Sequence, residues 1–381
     1  MPEESPSSVK ARYIMIGGFL GAGKTTAVAK LAQRLTERGL KVGLITNDQG
    51  RELVDTQMLR AKGFATEEIP GGCFCCRFNS LVDAAERLTS ATHPDVFIAE
   101  PVGSCTDLVA TVTYPLRRIY GDHFTIAPVS VLVDPIRAAR VLGLETGGNF
   151  SEKVVYIYKK QLEEADILVI NKLDLLSPER VEQLHAGLGA QFPRAEILTI
   201  SAREGTNLDT WFSKLENDVH GASPTMEVDY DLYADGEALL GWLNATVHLE
   251  ATTPFDAERV LTELAREIQD RLRVQRAEVA HLKMTYSPDE ALAGEIAAVN
   301  LVRNDFVPEL SLKLPEPSKR GQLIINLRAE NAPEALAQTI RDALHAVQVA
   351  TPTLTVRLQH LEHFRPGRPT PTHRDQLPAV G

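Results

Sequence analysis

Residues Gly18–Thr25 read GFLGAGKT and fit the pattern G-x-x-x-x-G-K-[ST]. They follow an apolar run, Tyr13–Ile16, and open an amphipathic stretch, Thr25–Arg38. The pattern therefore lies between a predicted strand and a predicted helix. Glycines at these positions let the backbone turn its N–H groups toward phosphate oxygens at a helix N-terminus. The stretch predicts a phosphate-binding loop in an α/β domain.

Side chains in this loop have separate predicted roles. The Lys24 ammonium neutralises charge on the β- and γ-phosphates, and the Thr25 hydroxyl ligates Mg²⁺. The hydroxyl of the next residue can reach the α-phosphate. Besides Lys24 and Thr25, we expect the nucleotide to contact Gly18, Gly21, Ala22, Gly23 and Thr26.

Short apolar runs alternate with longer amphipathic runs throughout the first half of the chain. Strands that are apolar on both faces and alternate with helices are typical of a doubly wound, mostly parallel α/β sheet. Such sheets bind ligands at the carboxyl ends of their strands. We predict buried strands at Tyr13–Ile16, Val42–Thr46, Val96–Ala99, Pro128–Val133, Ile167–Ile170 and Ile197–Ile200.

The tetrapeptide NKLD, Asn171–Asp174, directly follows the fifth of these strands. The Asp174 carboxylate can accept hydrogen bonds from N1–H and the exocyclic amine of guanine, a donor pair that adenine lacks. The stem of Lys172 can lie across the base, and Asn171 can hold the purine edge and the phosphate loop. The motif therefore predicts guanine recognition.

The segment SAREG, Ser201–Gly205, follows the sixth strand. We expect this loop to pack against the guanine base, with Ser201 and Ala202 contacting it. Together with NKLD and the phosphate loop, it predicts binding of GTP and GDP.

Catalytic groups are predicted at the ends of two more strands. In AEPVG, Glu100 is placed for Mg²⁺ or its water shell, and the Gly103 N–H for the γ-phosphate. In TNDQG, Asp48 either orients the attacking water, or holds a metal-bound one, or only forms a turn. With Lys24 and Thr25 these complete the expected catalytic set. No arginine finger is evident, so we expect slow turnover that depends on a partner or on a nucleotide-dependent homodimer.

Three of the four cysteines fall within the segment GGCFCC, at Cys73, Cys75 and Cys76. Thiolates suit zinc and other thiophilic ions, and three ligands with an open position fit an exchangeable site. Buried packing and redox chemistry are the alternatives, although adjacent cysteines strain a disulfide. The cluster lies between two strand ends where GTPases carry mobile switch elements, so its metal affinity can respond to the γ-phosphate. We interpret Cys105, which follows AEPVG closely, as a packing residue.

Composition narrows the class of protein. The chain has 381 residues, a hydrophobic share of 44% and a charged share of 24%, as expected for a soluble protein of roughly two domains. A net charge of −11 argues against a nucleic-acid partner, and no apolar run is long enough for a membrane helix. Few cysteines and an N-terminus without an apolar targeting segment favour the cytoplasm.

The second half has a different pattern. Alternating strands near Ala245–Ala251, Val279–Tyr286 and Gln322–Leu327 and two amphipathic helices, Asp256–Leu272 and Pro333–Val347, predict a smaller ferredoxin-like α+β domain. The whole chain then divides into a disordered lead-in at 1–10, a P-loop GTPase domain at 11–217, a linker at 218–240, a C-terminal domain at 241–363 and a disordered tail at 364–381.

In this order, GGFLGAGKTT, TNDQG, GGCFCC, AEPVG and NKLD resemble the CobW/HypB/UreG family of metallochaperone-type GTPases, above all its CobW branch. The resemblance implies a GTPase that binds zinc or cobalt and delivers it to a client metalloprotein or to a cofactor-assembly enzyme. Many relatives carry carboxylates where this chain has Thr46 and Arg51, and a His-rich run that is absent here. Glu52 or Asp55 can substitute, so the non-cysteine metal ligands stay open.

We therefore expect Mg²⁺-dependent hydrolysis of GTP to GDP and phosphate, coupled to metal handling at the three cysteines. Two alternatives remain at this point. The protein can be a metal sensor in which GTP is only a structural ligand, or a GTP switch that acts on a cofactor enzyme without carrying metal.

Overall fold

The computed structural model describes residues 10–48, 54–221, 225–290 and 295–376, without the side chains of Asp48, Asp55, Gln57 and Ala61. Two sheets account for the strands of this described part. The strands of the first are β1 Ala11–Gly18, β2 Val42–Asp48, β3 Ala65–Pro70, β4 Val96–Glu100, β5 Phe124–Ile126, β6 Ser130–Val133, β7 Ile167–Ile170 and β8 Glu196–Thr199.

The first sheet is parallel and has the order β3-β2-β4-β1-β6-β7-β8, with β5 paired to the beginning of β1. The chain fills one side of β1 first and the other side afterwards, so the carboxyl end of β1 lies near the point where the direction of winding changes. The surrounding helices are α1 Lys24–Glu37, α2 Val54–Ala61, α3 Phe78–Thr92, α4 Tyr114–Tyr120, α5 Pro135–Val141, α6 Glu152–Glu163, α7 Pro178–Gln191 and α8 Leu208–Asn217.

The predicted doubly wound α/β fold is confirmed, and all six predicted strands are present. Strands β3 and β5 were not predicted. β3 has the sequence ATEEIP, in which adjacent glutamates hide the alternation, and it is an edge strand that pairs only with β2. One of these glutamates, Glu67, accepts a hydrogen bond from Arg87 of α3 at 2.8 Å.

The second sheet is antiparallel and has the order β12-β11-β10-β13-β9-β14. Without the β11–β12 hairpin, the elements follow the βαββαβ succession predicted as ferredoxin-like. The helices pack their apolar faces on one side of this sheet. Its elements are β9 Leu240–Phe255, α10 Ala257–Val274, β10 Val279–Pro288, β11 Ala297–Leu301, β12 Glu309–Leu312, β13 Ser318–Glu330, α11 Pro333–Ala350 and β14 Leu354–Phe364.

The other face of the second sheet is also buried, because it lies against the first domain. Leu240 and Trp242 of β9 and Ala280 of β10 belong to the core of the first domain. The Arg328 side chain is fully buried on this face and stacks on Trp242. The Asn326 amide oxygen accepts a hydrogen bond from the first N–H of α2, at Val54. The two domains therefore share an interface that is partly polar.

Two segments that the sequence left without structure are ordered in part. The predicted linker ends in helix α9, Tyr230–Leu239, which begins at an Asp229 side-chain cap and packs against α6. Residues 365–376, within the predicted disordered tail, return along the first domain and hydrogen-bond to it. We call residues 365–376 the C-terminal strap. The lead-in at 1–9 lies outside the described residues.

Among the helices of the described residues, not one combines the length and the apolar character that a membrane crossing requires.

Candidate functional site

The phosphate loop connects β1 to α1 in the conformation that its sequence predicts. Gly18, Gly21 and Gly23 have positive φ angles of 130°, 80° and 95°. A side chain at Gly18 would collide with the backbone of Leu132 in β6. Only glycine therefore fits at Gly18, and the loop stands at the N-terminus of α1, where N–H groups can bind an anion.

Lys24 and Thr25 lie in the first turn of α1, both buried. The Lys24 ammonium donates to the Gly18 carbonyl oxygen at 2.8 Å, so it folds back over the loop. The Thr25 hydroxyl donates to Glu100 Oε1 at 3.0 Å. The pair therefore brings together the two oxygen ligands predicted for Mg²⁺, an ion that prefers such ligands. Thr26 is exposed at the next position of α1.

Gly103 lies close to the same loop. A Cβ at this position would come within 2.7 Å of the Leu20 side chain and 3.0 Å of its backbone nitrogen. A glycine is therefore needed for the segment after β4 to approach the phosphate loop. Gln161 of α6 fixes this segment, because its side-chain amide donates to the carbonyl oxygens of Gly103 at 2.9 Å and Cys105 at 2.7 Å.

The guanine motif is tied to the phosphate loop by side-chain hydrogen bonds. Asn171 donates to the Ala22 carbonyl oxygen and accepts from the Ala202 N–H, both at 2.9 Å. Lys172 donates to the Gly21 carbonyl oxygen at 2.8 Å. The Ser201 hydroxyl donates to Asp174. These contacts bring together the residues predicted to bind the base and leave Asp174 at the exposed edge of the site.

Asp134, at the end of β6, is a member of this site that the sequence did not indicate. Its buried carboxylate pairs with Lys172 at 2.6 Å and with Arg303 of the second domain at 3.1 Å, and it caps α5. Burial alone would raise the pKa of Asp134, but the charges of Lys172, Arg303 and Arg137 outweigh it and hold this pKa well below the ordinary value. Asp134 therefore remains a carboxylate.

The second domain thus contacts both halves of the nucleotide site. A Cβ at Gly21 would meet Val302 at 3.1 Å, and the Arg137 guanidinium donates to the Val302 carbonyl oxygen at 2.8 Å. His281 of β10 is buried on the same side. Burial, together with nearby cations that include Lys24, holds the pKa of His281 well below its ordinary value. The imidazole is neutral at pH 7.

We expect Arg303→Ala to lower the free energy of unfolding by about 3 kcal/mol, because it leaves Asp134 buried with one cation fewer. The measurement is denaturant unfolding followed by circular dichroism. Arg320→Ala is the matched control, since Arg320 forms an exposed pair with Glu290 and such pairs contribute about 0–1 kcal/mol. Equal stability of the two variants would show that the Arg303–Asp134 pair does not hold the domains together.

The end of β2 approaches the cysteine segment. The Asn47 amide donates to the carbonyl oxygens of Ile69 at 2.9 Å and Gly72 at 2.6 Å, and so holds the turn before Cys73. The buried Thr46 hydroxyl pairs with Thr56 at 2.9 Å and does not face a metal site. The predicted catalytic Asp48 ends β2, with its side chain outside the described part; Arg51, Glu52 and the Asp55 side chain lie outside it too.

The three clustered cysteines converge between β3 and α3. Cys73 Sγ lies 2.7 Å from Cys75 Sγ and 3.2 Å from Cys76 Sγ, and the remaining pair is 3.7 Å apart. Cys73 and Cys75 are buried, whereas Cys76 is partly exposed. Each sulfur can offer one ligand atom to a common ion. Such a set of convergent thiols is suited to a thiophilic metal.

The thiols differ in acidity because they hydrogen-bond to one another. The pKa of Cys73 is lowered well below the ordinary thiol value by hydrogen bonds with Cys105, Cys75 and Cys76. The hydrogen bond with Cys73 in turn raises the pKa of Cys75, and it raises the pKa of Cys76 to about 11. Cys73 is therefore the most acidic thiol of the group.

The C-terminal strap covers the exposed side of this cluster. The Thr370 N–H donates to Cys76 Sγ at 3.2 Å, and the Thr372 N–H donates to the Cys75 carbonyl oxygen at 2.8 Å. Arg374 pairs with the buried Asp107 at 2.7 Å. The ring of His373 packs edge-on against Phe78, with ring centroids 4.9 Å apart. The tail therefore belongs to the surroundings of the cysteine cluster.

Comparisons with known proteins identify relatives of the nucleotide-binding domain. Residues 12–199 match the family profile described as CobW/HypB/UreG, nucleotide-binding domain. The chain is similar to the zinc chaperone YjiA of Escherichia coli, with 25% identity over 68% of this chain and 78% of YjiA. It is also similar to the E. coli zinc chaperone YeiR, with 30% identity over 45% of this chain and 50% of YeiR.

A third relative is the zinc chaperone CobW of a Sinorhizobium species, with 28% identity over 50% of this chain and 58% of that protein. The aligned stretch thus spans little more than half of YeiR and of this CobW. The family match covers the sheet, the phosphate loop, the cysteine segment and the guanine motif. Residues 12–199 belong to the CobW/HypB/UreG family, and this nucleotide-binding domain is that of a GTPase.

Proposed function

We propose that this protein is a zinc-delivering GTPase, which hydrolyses GTP to GDP and phosphate and uses the nucleotide state to hold or release zinc at Cys73, Cys75 and Cys76. The observation that carries the proposal is that Asn47, next to the predicted catalytic Asp48, holds the turn that presents these cysteines. The cysteine segment is therefore hydrogen-bonded to the end of β2, the element that we propose responds to the bound nucleotide. The names of the similar zinc chaperones support the choice of metal, with cobalt as the second candidate.

The nucleotide roles follow from the geometry of the site. The phosphate-loop N–H groups and Lys24 are the proposed phosphate ligands, and the Gly103 N–H is the proposed donor to the γ-phosphate, because Gly103 packs against Leu20 of the loop. Thr25 and Glu100 would hold Mg²⁺, which supplies charge neutralisation on the β- and γ-phosphates when bound. Asp48 is the proposed residue for orienting the attacking water. Asn171, Lys172, Asp174, Ser201 and Ala202 are the proposed guanine site.

The hydrolysis part of the proposal is tested by measuring phosphate release from GTP in the presence of Mg²⁺. We expect slow release that stops when Mg²⁺ is omitted, and no comparable release from ATP. Phosphate release at the rate of the buffer alone, with and without zinc, would contradict the proposal. A GTP switch without cargo would hydrolyse GTP but bind no zinc.

Zinc affinity should rise with pH. Cys75 and Cys76 keep their protons at neutral pH because their pKa values are raised. Since zinc binds thiolates, each of the two thiols must release a proton. We expect affinity to increase by about tenfold per proton, and so by at least about a hundredfold per pH unit, between pH 6 and 8. Competition against a chelator of known pH dependence measures this slope, and a flat profile would exclude thiolate ligation.

The delivery step requires a recipient, which we propose to be a client metalloprotein or a cofactor-assembly enzyme in the cytoplasm. A homodimer that forms with GTP bound is the proposed route to faster hydrolysis, since the sequence offers no evident arginine finger. In this proposal the second domain, predicted at 241–363, rests on the nucleotide site.

A further inference from the structure

Cys105 lies at the cysteine cluster, although it is distant from the cluster in sequence. It follows β4 by five residues and is only 1% exposed. Its thiol hydrogen-bonds with Cys73. All three buried cysteines belong to the same core cluster of side chains. A fourth sulfur therefore lies beside Cys73, one of the three cysteines that the motif supplies.

We propose that Cys105 is the fourth ligand of the zinc ion held by Cys73, Cys75 and Cys76, which makes the site a four-thiolate site. This inference rests on the proposed function. Zinc takes four ligands in a tetrahedral arrangement, and thiolate sulfur is among its preferred donors. Three cysteines on one turn leave one side of the ion open, and Cys105 reaches the cluster from a different loop.

Three other polar groups near the cluster have partners of their own. Glu237 of α9 is buried nearby, but its carboxylate accepts a hydrogen bond from Ser104 at 2.6 Å. The Thr46 hydroxyl is paired with Thr56. The strap presents a backbone N–H to Cys76, which can donate to a bound thiolate but cannot ligate a cation. Cys105 is the candidate that already contacts a motif sulfur.

The consequence concerns the coupling between metal and nucleotide. Cys105 and Gly103 lie on one short segment, and the same Gln161 amide holds both of their carbonyl groups. Gly103 approaches the phosphate loop closely enough to exclude a side chain. A γ-phosphate that repositions Gly103 would therefore move a metal ligand two residues away. The zinc ligands would then come from two loops, and the loop that carries Gly103 and Cys105 would move when the γ-phosphate binds or leaves.

The direct test is X-ray absorption spectroscopy at the zinc edge on the wild-type protein loaded with one zinc ion. We expect four sulfur neighbours at about 2.3 Å. Three sulfurs with one oxygen or nitrogen would overturn the inference. This experiment needs no substitution, so it decides the question even if Cys105 variants fail to fold.

Variants give a second test. Cys105→Ser should weaken zinc binding by more than the roughly 10- to 100-fold that is lost when a residue supporting a metal ligand is removed, while GDP binding shows that the variant is folded. Glu237→Gln is the matched control and should keep zinc affinity within a few-fold. If Glu237→Gln lost zinc and Cys105→Ser kept it, Glu237 would be the ligand and the inference would be wrong.

The outcome also separates this inference from the proposed function. If the wild type does not bind zinc, or if Cys75→Ser binds it as tightly as the wild type, the proposed function fails. If Cys75→Ser loses zinc while Cys105→Ser retains it, the proposed site stands and only the fourth ligand is wrong.

Discussion

Asp174→Asn should weaken GTP and GDP binding by about 10- to 100-fold. The carboxylate is placed to accept two hydrogen bonds from guanine, and each bond to a charged group contributes about 1.5–3 kcal/mol. Asparagine offers one acceptor and one donor, so it matches only one of the two guanine donors. Competition against a fluorescent guanine nucleotide measures the loss.

The same variant should gain affinity for xanthosine nucleotides, because xanthine carries an oxygen where guanine carries its amine. The amide that Asp174→Asn introduces can donate to that oxygen and accept from N1–H. Glu179→Gln is the matched control, since Glu179 is an exposed carboxylate at the start of α7. GTP affinity within a few-fold of the wild type in Asp174→Asn would show that guanine is recognised elsewhere.

Cys75→Ser should lower zinc affinity by more than about 100-fold, the upper effect of removing a residue that only supports a metal ligand. The thiol is fully buried in the cluster, 2.7 Å from Cys73 Sγ, and a serine hydroxyl is a poor zinc ligand. Isothermal titration or chelator competition gives the affinity. GDP binding in the same preparation reports that the nucleotide domain is folded.

Two further variants distinguish ligation from packing. Cys75→Ala removes the sulfur without burying a hydroxyl and should lose zinc as Cys75→Ser does. Arg77→Ala changes an exposed residue beside the cluster and should bind zinc like the wild type. If Cys75→Ala retained full zinc affinity, the cysteine would be a packing residue of the core.

The parts of the fold that could be predicted are those whose signal is local. A few neighbouring residues are enough to predict the phosphate loop, from its glycines and Lys24. The same holds for the apolar strands β1 and β7 and for the NKLD motif. β3 was missed because Glu67 and Glu68 interrupt its alternation at a solvated edge. Helix α9 was missed because its residues follow a stretch rich in Gly, Ser and Pro, and an acidic composition resembles a linker.

The parts of the site that could not be predicted depend on contacts between distant segments. Asp134 has a partner in Arg303, which lies in another domain, so no spacing in the sequence indicates the pair. The contact between Cys105 and Cys73 is of the same kind. The sequence offers one hint of this contact: Cys105 closely follows Glu100 and Gly103, which lie at and just after the end of β4. The strap over Cys76 had no signal, because a Pro- and Arg-rich tail is typical of disorder.

Zinc titration of the wild-type protein, with GDP and then with a non-hydrolysable GTP analogue, tests the central claim most directly. Because the γ-phosphate should fix Gly103, and with it the segment that carries Cys105, we expect zinc to bind about tenfold more tightly with the GTP analogue, within the usual range of coupling between sites. Zinc should raise the affinity for the analogue by the same factor. Equal zinc affinity with both nucleotides would contradict the account.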